Sequence, residues 1–351
     1  MGEPGVFRED VGSGSLRLRW ARVTTAPLVI SVGRGALRES THRVHAVVCR
    51  ADGSVVRSWG NPDRLTLLRS VAKPFQAVPL VEDGVTTRFA ITEAELALTC
   101  ASHNSEDVHI AAARSILRKV GVDEAALVCG AHPPLLPDRA AELREMGLEG
   151  AAVTSNCSGK HAGMLALAVH HGWPTREYEQ PAHPVQLRMV EEVARWTGLA
   201  KSDLRLETDG CGVPCFGVPL NSLARGAARF AQAVSEGQEG PRAVAAAMTG
   251  HPFMVAGSGR LCTALMATAE GGLFAKVGAE GVYAAGSPEV GMGVALKVED
   301  GAWRAAPPAL LAVLRVVGLL GETQWEALED YHSPWVVNTV GDPVGRISAD
   351  I

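Results

Sequence analysis

The chain has 351 residues, of which 47% are hydrophobic and 20% are charged, a composition typical of a globular enzyme with a large core. Its formal net charge is −5 and its isoelectric point is about 6.1, which argues against nucleic acid or an anionic membrane as a partner. No apolar run reaches the ~18 residues that a membrane-spanning helix needs.

The first residues, MGEPGVFREDVGSG, are rich in glycine. We expect residues 1–20 to form a flexible tail before a single domain at 21–351. They lack the basic and apolar regions of a signal peptide, which favours a cytoplasmic location. The seven cysteines are odd in number and widely spaced, which is typical of reduced thiols in a cytosol.

Residues 43–60 contain two β-rich runs around Ala-Asp-Gly-Ser and predict a β-hairpin. A helix is predicted to begin near Ser70 and to end near Pro79, because proline is tolerated near a helix start but not deep inside a helix. Thr92 and Glu95 have the spacing of a capping box, which predicts the start of the next helix.

Several helices are then predicted between about 90 and 250, and we expect them to form a helical subdomain. Within that range, residues 207–220 are rich in turn formers and are predicted to be a loop. Short β-rich runs follow after residue 271, and a last helix is predicted at 307–320. Strands near both ends with helices between them favour an α+β fold, with a mostly antiparallel sheet built from the two termini.

Only six of the 33 basic residues are lysines. Arginine stays charged in proteins whereas lysine can lose its proton, so a lysine that this chain retains is a candidate for chemistry. Ser70 and Lys73 form the pattern S-x-x-K at a predicted helix start, where helix N–H groups favour negative charge on the serine and a neutral lysine can accept its proton. The pattern is short, and an ordinary surface helix turn is the alternative.

Two further patterns follow in the chain, S-x-N at Ser102–Asn104 and K-x-G at Lys276–Gly278. S-x-x-K, S-x-N and K-x-G in this order resemble the three elements of penicillin-recognising enzymes and serine β-lactamases, an order shared by serine-dependent glutaminases. In that architecture the first serine attacks a carbonyl, and the second serine and the K-x-G lysine relay protons and charge. Val277 departs from the pattern, because a Ser or Thr that would hold a substrate carboxylate usually stands there.

Cys157 and Cys211 lie between turn formers, in NCSGKH and DGCGVPC, rather than in apolar runs. From the chemistry of the side chains alone we predict Zn²⁺ on Cys157, Cys211 and His161. The alternative is two loop cysteines and a surface histidine without function. Asp209 is a candidate acceptor beside the metal, or a partner for a substrate ammonium group.

The chain resembles the class 3, or rhizobial-type, L-asparaginases. The resemblance is carried by RSVAKP, CASHNSE, NCSGKHAGM, DGCGVP, HPFMVAGSGRLCT and KVGAEGV, which span residues 69–282. It implies hydrolysis of L-asparagine to L-aspartate and ammonia, a fold related to serine β-lactamases and glutaminases, and a homodimer. It also implies two Ser–Lys pairs, Ser70 with Lys73 and Ser102 with Lys276.

The same resemblance implies a zinc site of Cys157, Lys160 and Cys211, in which Lys160 replaces His161 as the nitrogen ligand. In this family zinc is associated with substrate binding more than with bond breaking. The residues that we expect to contact substrate are Arg69, Asn104, His161, Asp209 and Cys262.

Other functions remain as alternatives. A serine-dependent glutaminase or another amidase is the nearest, because one substrate methylene is worth only ~1–3 kcal/mol of discrimination. A β-lactamase or peptidase acts on cell-wall chemistry outside the cytosol, where this chain is not expected. A non-catalytic zinc-binding regulatory protein is the alternative from another class. Turnover of asparagine by the purified protein separates all of these.

Overall fold

A computed structural model of the chain describes residues 26–148 and 150–351. The tail predicted over residues 1–20 lies outside these residues. Within them the chain forms strands and helices in the α+β arrangement, and this coarse prediction from the sequence is confirmed. None of the described helices is both long and apolar enough to cross a membrane.

The main sheet is antiparallel and draws its strands from both ends of the chain, in the order β10-β11-β1-β2-β9-β8-β7, with β3 paired to β2. A second, smaller sheet has the order β4-β6-β5. The strands are β1 Leu28–Arg34, β2 Leu37–Arg50, β3 Val55–Trp59, β4 Leu65–Leu67, β5 Arg205–Thr208, β6 Pro214–Pro219, β7 Phe274–Gly278, β8 Val282–Ser287, β9 Met292–Val298, β10 Trp335–Val337 and β11 Pro343–Asp350.

Most of the described helices lie between β4 and β7. The helices are α1 Lys73–Glu82, α2 Val85–Arg88, α3 Glu93–Thr99, α4 Asp107–Val120, α5 Pro137–Glu145, α6 Ser158–His171, α7 Pro184–Thr197, α8 Leu220–Ser235, α9 Glu239–Gly250, α10 Pro252–Val255, α11 Leu261–Thr268, α12 Ala306–Val316, α13 Glu322–Ala327 and α14 Glu329–His332. The predicted capping box starts α3, since the Thr92 hydroxyl accepts from the Glu95 N–H and the Glu95 carboxylate accepts from the Thr92 N–H.

Strand β7 is an edge of the main sheet, and its two faces meet different partners. Phe274 packs edge-on against Phe230 of α8, with ring centroids 5.1 Å apart. Because side chains alternate along a strand, Lys276 shares the face of Phe274 whereas Val277 points to the other face. Val277 is paired across the ladder with Tyr283 of β8, so these two side chains share that second face.

The structure corrects two local predictions. Helix α1 continues through Pro79 to Glu82, although proline removes a backbone hydrogen bond. Residues 73–80 of this helix are all buried, so packing of the helix outweighs the lost bond. The stretch 207–220 is not a loop but the end of β5, a turn and β6, in which Glu207 pairs with Cys215. Its turn formers mark only the turn at 209–213.

Candidate active site

The candidate active site lies where three segments meet: the 3₁₀ turn Arg69–Ala72 that leads into α1, the loop that follows α3, and the edge strand β7. Ser102, in that loop, is at the centre. Its Oγ accepts a hydrogen bond from Lys276 Nζ at 2.9 Å and another from Lys73 Nζ at 3.2 Å. All three side chains are at most 5% exposed, so the two amines compete for one hydroxyl away from water.

Lys73 is hydrogen-bonded to groups other than the serine with which it was paired in the sequence pattern. Besides Ser102, its Nζ donates to the Ala101 carbonyl and to Cys157 Sγ, the latter at 3.2 Å. Ser70 lies three residues earlier and is half-buried, whereas Ser102 is almost wholly enclosed. The structure therefore brings Ser102 and Lys276 into contact, and it places Lys73 between Ser102 and the cysteine rather than in a hydrogen bond with Ser70.

The backbone at Arg69 sets the position of Ser70. Arg69 has φ of 49°, a left-handed conformation that is unfavourable for a side chain of this size. An ion pair holds it there, with Arg69 Nε donating to Asp209 Oδ1 at 2.6 Å. Burial alone would raise the pKa of Asp209, but the charges of Lys160 and Arg69 lower it, so the carboxylate is ionised. The ion pair thus joins the start of α1 to the turn between β5 and β6.

Two glycines allow the segments to approach each other. A Cβ on Gly278 would lie 3.0 Å from the Leu68 carbonyl, so glycine at the end of K-x-G lets β7 lie against the chain just before Ser70. A Cβ on Gly159 would lie 2.3 Å from the Leu98 carbonyl, so only glycine lets the first turn of α6 pack on α3. This close packing carries Cys157 and Lys160 to Lys73.

Two cysteines and a lysine form a second cluster beside the serines. Lys160 Nζ lies 2.9 Å from Cys211 Sγ, and Cys157 Sγ lies 3.2 Å from Lys73 Nζ and 3.0 Å from Asn156 Oδ1. The neighbouring Cys211 thiol and the nearby charges of Lys73 and Lys160 hold the pKa of Cys157 well below its usual value. The neighbouring Cys157 sulfur, together with burial, raises the pKa of Cys211.

The second serine–lysine pair has the electrostatics of a base. Burial, followed by the positive charge of Lys73, lowers the pKa of Lys276 to about 7. Its Nζ also donates to the Val277 carbonyl at 2.7 Å, which fixes the amine against its own strand. A lysine with this pKa is substantially neutral near pH 7 and can accept a proton from Ser102.

Two further residues expected to contact substrate, Asn104 and Cys262, have hydrogen-bond partners within the protein. The Asn104 amide donates to the Ser258 carbonyl at 2.9 Å and accepts from Arg260 Nη1 at 2.8 Å. Cys262 Sγ lies 2.9 Å from Tyr283 Oη and is buried. These contacts make Asn104 and Cys262 part of the wall of the site.

His161, the residue after Lys160, is fully buried, with Nδ1 hydrogen-bonded to Tyr178 Oη at 2.7 Å. Burial and the neighbouring charges of Lys160 and Lys73 hold its pKa well below the usual value, so the ring is neutral. Its Nε2 is buried and has no hydrogen-bond partner among the described residues.

Arg260 and Tyr283 were not singled out from the sequence, although both stand in or directly after the matching stretches. Arg260 Nη1 donates to the Ser102 carbonyl at 3.3 Å as well as to Asn104, and so supports the serine loop. A lone arginine between a glycine and a leucine gives no periodic signal. The signal that was available for Tyr283 is its place in a short β-rich apolar run, the strand that follows K-x-G.

In the part of the chain that the structure describes, no group of three or more His, Cys, Asp or Glu side chains is arranged to hold a metal ion. The Cys157, Lys160 and Cys211 set is of a different kind, because it has two such side chains and an amine. Its two sulfurs and one nitrogen are donors that suit Zn²⁺ and would leave a fourth position open.

Comparison with known proteins gives one result. The family model described as L-asparaginase II matches residues 30–349. A search of curated proteins finds no significant match. The family match includes every residue of the serine–lysine and cysteine clusters and nearly the whole chain. The chain therefore belongs to the L-asparaginase II family and is an asparaginase.

Proposed function

We propose that this asparaginase hydrolyses L-asparagine to L-aspartate and ammonia by serine–lysine acyl transfer, with a zinc ion beside the serines. The observation that carries the proposal is the convergence of two buried lysines on the Ser102 hydroxyl. Burying a lysine costs free energy, and buried titratable groups are enriched at functional sites, so two lysines on one hydroxyl support a path for protons. The edge strand carrying K-x-G, packed on the S-x-x-K turn, also supports the proposed relation to serine β-lactamases and glutaminases.

Ser70 is the proposed nucleophile because it is the reachable serine. It is half-buried at the start of α1, whereas Ser102 is 5% exposed and already accepts two hydrogen bonds. Ser70 Oγ attacks the side-chain amide carbon, the C–N bond breaks, and ammonia leaves with the proton that it gains. Water then attacks the aspartyl ester and releases Ser70 and aspartate.

The lysines and Ser102 move the proton. A proton passes from Lys73 to the Ser102 hydroxyl while the hydroxyl proton passes to Lys276, whose lowered pKa suits it as the acceptor. Lys73 is then neutral and takes the proton of Ser70, three residues before it in the chain. The reverse transfer supplies a proton to the departing nitrogen.

Arg69 and Asp209 are the proposed contacts for the α-carboxylate and α-ammonium groups of asparagine. Both lie at the rim beside Ser70, with side chains 24% and 10% exposed. When asparagine binds, its α-carboxylate can replace Asp209 as the partner of Arg69, and its α-ammonium group can replace Arg69 as the partner of Asp209. No charge is left unpaired, so little electrostatic energy is lost on binding.

Cys157, Lys160 and Cys211 are the proposed zinc ligands, and the donor set fits Zn²⁺ chemistry. When bound, zinc supplies a positive charge that attracts a substrate oxygen. In the absence of zinc, burial lowers the pKa of Lys160, but the Cys211 and Cys157 sulfurs raise it by more. The amine is therefore protonated, and metal binding must displace its proton.

The resemblance to class 3 L-asparaginases further supports a homodimer, and size-exclusion chromatography with light scattering tests the dimer. The function itself is tested by release of ammonia from L-asparagine and from L-glutamine by the purified protein. We expect kcat/KM for asparagine to exceed that for glutamine. Greater turnover of glutamine would make the protein a glutaminase, and no turnover of either amide by zinc-loaded protein would leave the regulatory alternative.

A further inference from the structure

A cavity of about 320 Å³ lies on the face of β7 that is turned away from the lysines. Val277 and its ladder partner Tyr283 form part of its wall, together with Pro307 and Pro308 near the start of α12. Its volume is at the lower end of the ~300–1,000 Å³ that small-molecule sites occupy. Neither Ser70 nor Ser102 lines it, and Cys262 is the wall residue that the cavity shares with the candidate active site.

Three charged side chains line this cavity, Arg260, Arg304 and Asp330, and the guanidinium of Arg304 is already hydrogen-bonded to His42 and Ser40. Arg260 has a buried Nη2 with no hydrogen-bond partner among the described residues. Asp330, at the exposed end of the cavity, forms no ion pair within 4.0 Å in the described part of the chain, so it is not paired with Arg260. A buried donor without a partner costs ~1–3 kcal/mol, and a ligand carboxylate would recover that energy.

The remaining walls are largely apolar and aromatic. The guanidinium of Arg260 lies 5.3 Å from the ring centroid of Trp303, and Tyr331 stands beside Asp330. A ligand that satisfies all of these groups has a carboxylate for Arg260, an ammonium group for Asp330 and an apolar body for the aromatic and proline walls.

We propose that this cavity is a second ligand site, which binds a free α-amino acid with a large apolar or aromatic side chain. The site goes beyond the proposed hydrolysis, because its ligand is not the amide that is cleaved. It is linked to the active site through Arg260, whose Nη1 donates to the Ser102 carbonyl and to Asn104. The ligand carboxylate takes the unpaired Nη2 of the same guanidinium whose Nη1 supports the Ser102 loop.

Isothermal titration calorimetry with three probes tests the site without any need for turnover. L-phenylalanine carries both charges, 3-phenylpropionate lacks the ammonium group and phenethylamine lacks the carboxylate. We expect L-phenylalanine to bind, and each simpler probe to bind at least ~10-fold more weakly, the scale of one lost charge-assisted hydrogen bond.

Variants assign each charge to its residue. Asp330→Asn, at an exposed position, should weaken L-phenylalanine at least ~10-fold and leave 3-phenylpropionate unchanged. Arg260→Gln should weaken both carboxylates and leave phenethylamine unchanged. Glu289→Gln, a charge removal at an exposed position away from the cavity, is the matched control and should change nothing. Since Arg260→Gln is at risk of misfolding, circular dichroism is recorded first, and Asp330→Asn with Trp303→Leu tests the site independently.

Binding should persist in Ser70→Ala protein that is saturated with asparagine. Its loss there would show that the cavity belongs to the asparagine site and would overturn the proposal. The absence of heat with L-phenylalanine up to about 10 mM, or equal affinities in the parent, Asp330→Asn and Trp303→Leu proteins, would overturn it as well. None of these outcomes depends on asparagine hydrolysis, so the proposed function is tested separately.

Discussion

The two faces of strand β7 differ in how their charges are used. On the Lys276 face, buried cations are closed into hydrogen bonds with a serine, a sulfur and backbone carbonyls. On the Val277 face, Arg260 retains an unpaired donor and Asp330 has no ion partner in the described residues. Groups that hydrogen-bond one another can exchange protons, whereas groups left unpaired at a cavity wall are free to bind. The comparison supports the two proposals, which are proton transfer on the Lys276 face and ligand binding on the Val277 face.

The largest expected effect is that of Ser70→Ala, on the Lys276 face. Loss of the attacking oxygen should lower kcat by at least on the order of 10³-fold, while the fold is retained. Ammonia release and circular dichroism measure the two properties. Ser202→Ala, in an exposed turn before β5, is the matched control and should behave as the parent. A folded Ser70→Ala protein with most of its activity would transfer the nucleophile's role to Ser102.

Replacing either converging lysine by arginine tests whether positive charge alone suffices. Lys73→Arg and Lys276→Arg should each lower kcat on the order of 10²-fold, because a guanidinium does not lose its proton and cannot act as a base. Steady-state kinetics measure the loss, and thermal melts check the fold. Lys201→Arg is the control, since Lys201 forms an exposed ion pair with Glu191. Parental kinetics in both folded variants would contradict the proton path.

The pH dependence of kcat/KM tests the same path in the unchanged protein. Lys276 has a pKa lowered to about 7, so it is protonated below that pH and neutral above it. The rate should therefore rise about tenfold per pH unit below pH 7 and level off above it. Assays between about pH 5.5 and 9 measure the profile. A profile without this rise, in protein that stays folded, would contradict the assignment of Lys276 as the proton acceptor.

Removal of the proposed zinc ligands should have a smaller effect, mainly on KM. Elemental analysis of protein made with zinc supplied should find about one Zn²⁺ per chain, and Cys157→Ser with Cys211→Ser should abolish it. KM for asparagine should rise by about tenfold and kcat should change less, because the ion positions the substrate. Cys129→Ser, a buried cysteine outside the cluster, is the control for loss of a thiol. Zinc-free parent protein would rule the site out.

The smallest effect is expected at the contact between β7 and the chain just before the 3₁₀ turn Arg69–Ala72. Gly278→Ala places a Cβ 3.0 Å from the Leu68 carbonyl, so the strand must shift by a few tenths of an ångström. A shift of this size in Lys276 should lower kcat by about three- to tenfold. Gly250→Ala, where a Cβ meets nothing within 4 Å, should leave kcat unchanged and so serves as the control. An equal kcat in both variants would show that this contact does not position the amine.

Sequence patterns predicted which residues belong to the candidate site, but they did not predict which of those residues contact one another. S-x-x-K, S-x-N and K-x-G name Lys73, Ser102 and Lys276, because short motifs preserve residue types at set spacings. They also suggested that Lys73 serves Ser70, the nearest serine in the chain. In the structure Lys73 donates to Ser102, which is 29 residues away in the chain, because α1 and the loop after α3 pack side by side. Contact between segments that are distant in sequence leaves no local pattern.

The sequence by itself determined the α+β class, the hairpin of β2 and β3, the capping box of α3 and the family, because each depends on local periodicity or on quoted motifs. Only the tertiary structure decided that α1 runs through Pro79 and that one guanidinium reaches both the Ser102 loop and the cavity beyond β7. These outcomes depend on burial and on which side chains meet across the sheet. Both are properties of packing between segments distant in the chain, which no short stretch of sequence encodes.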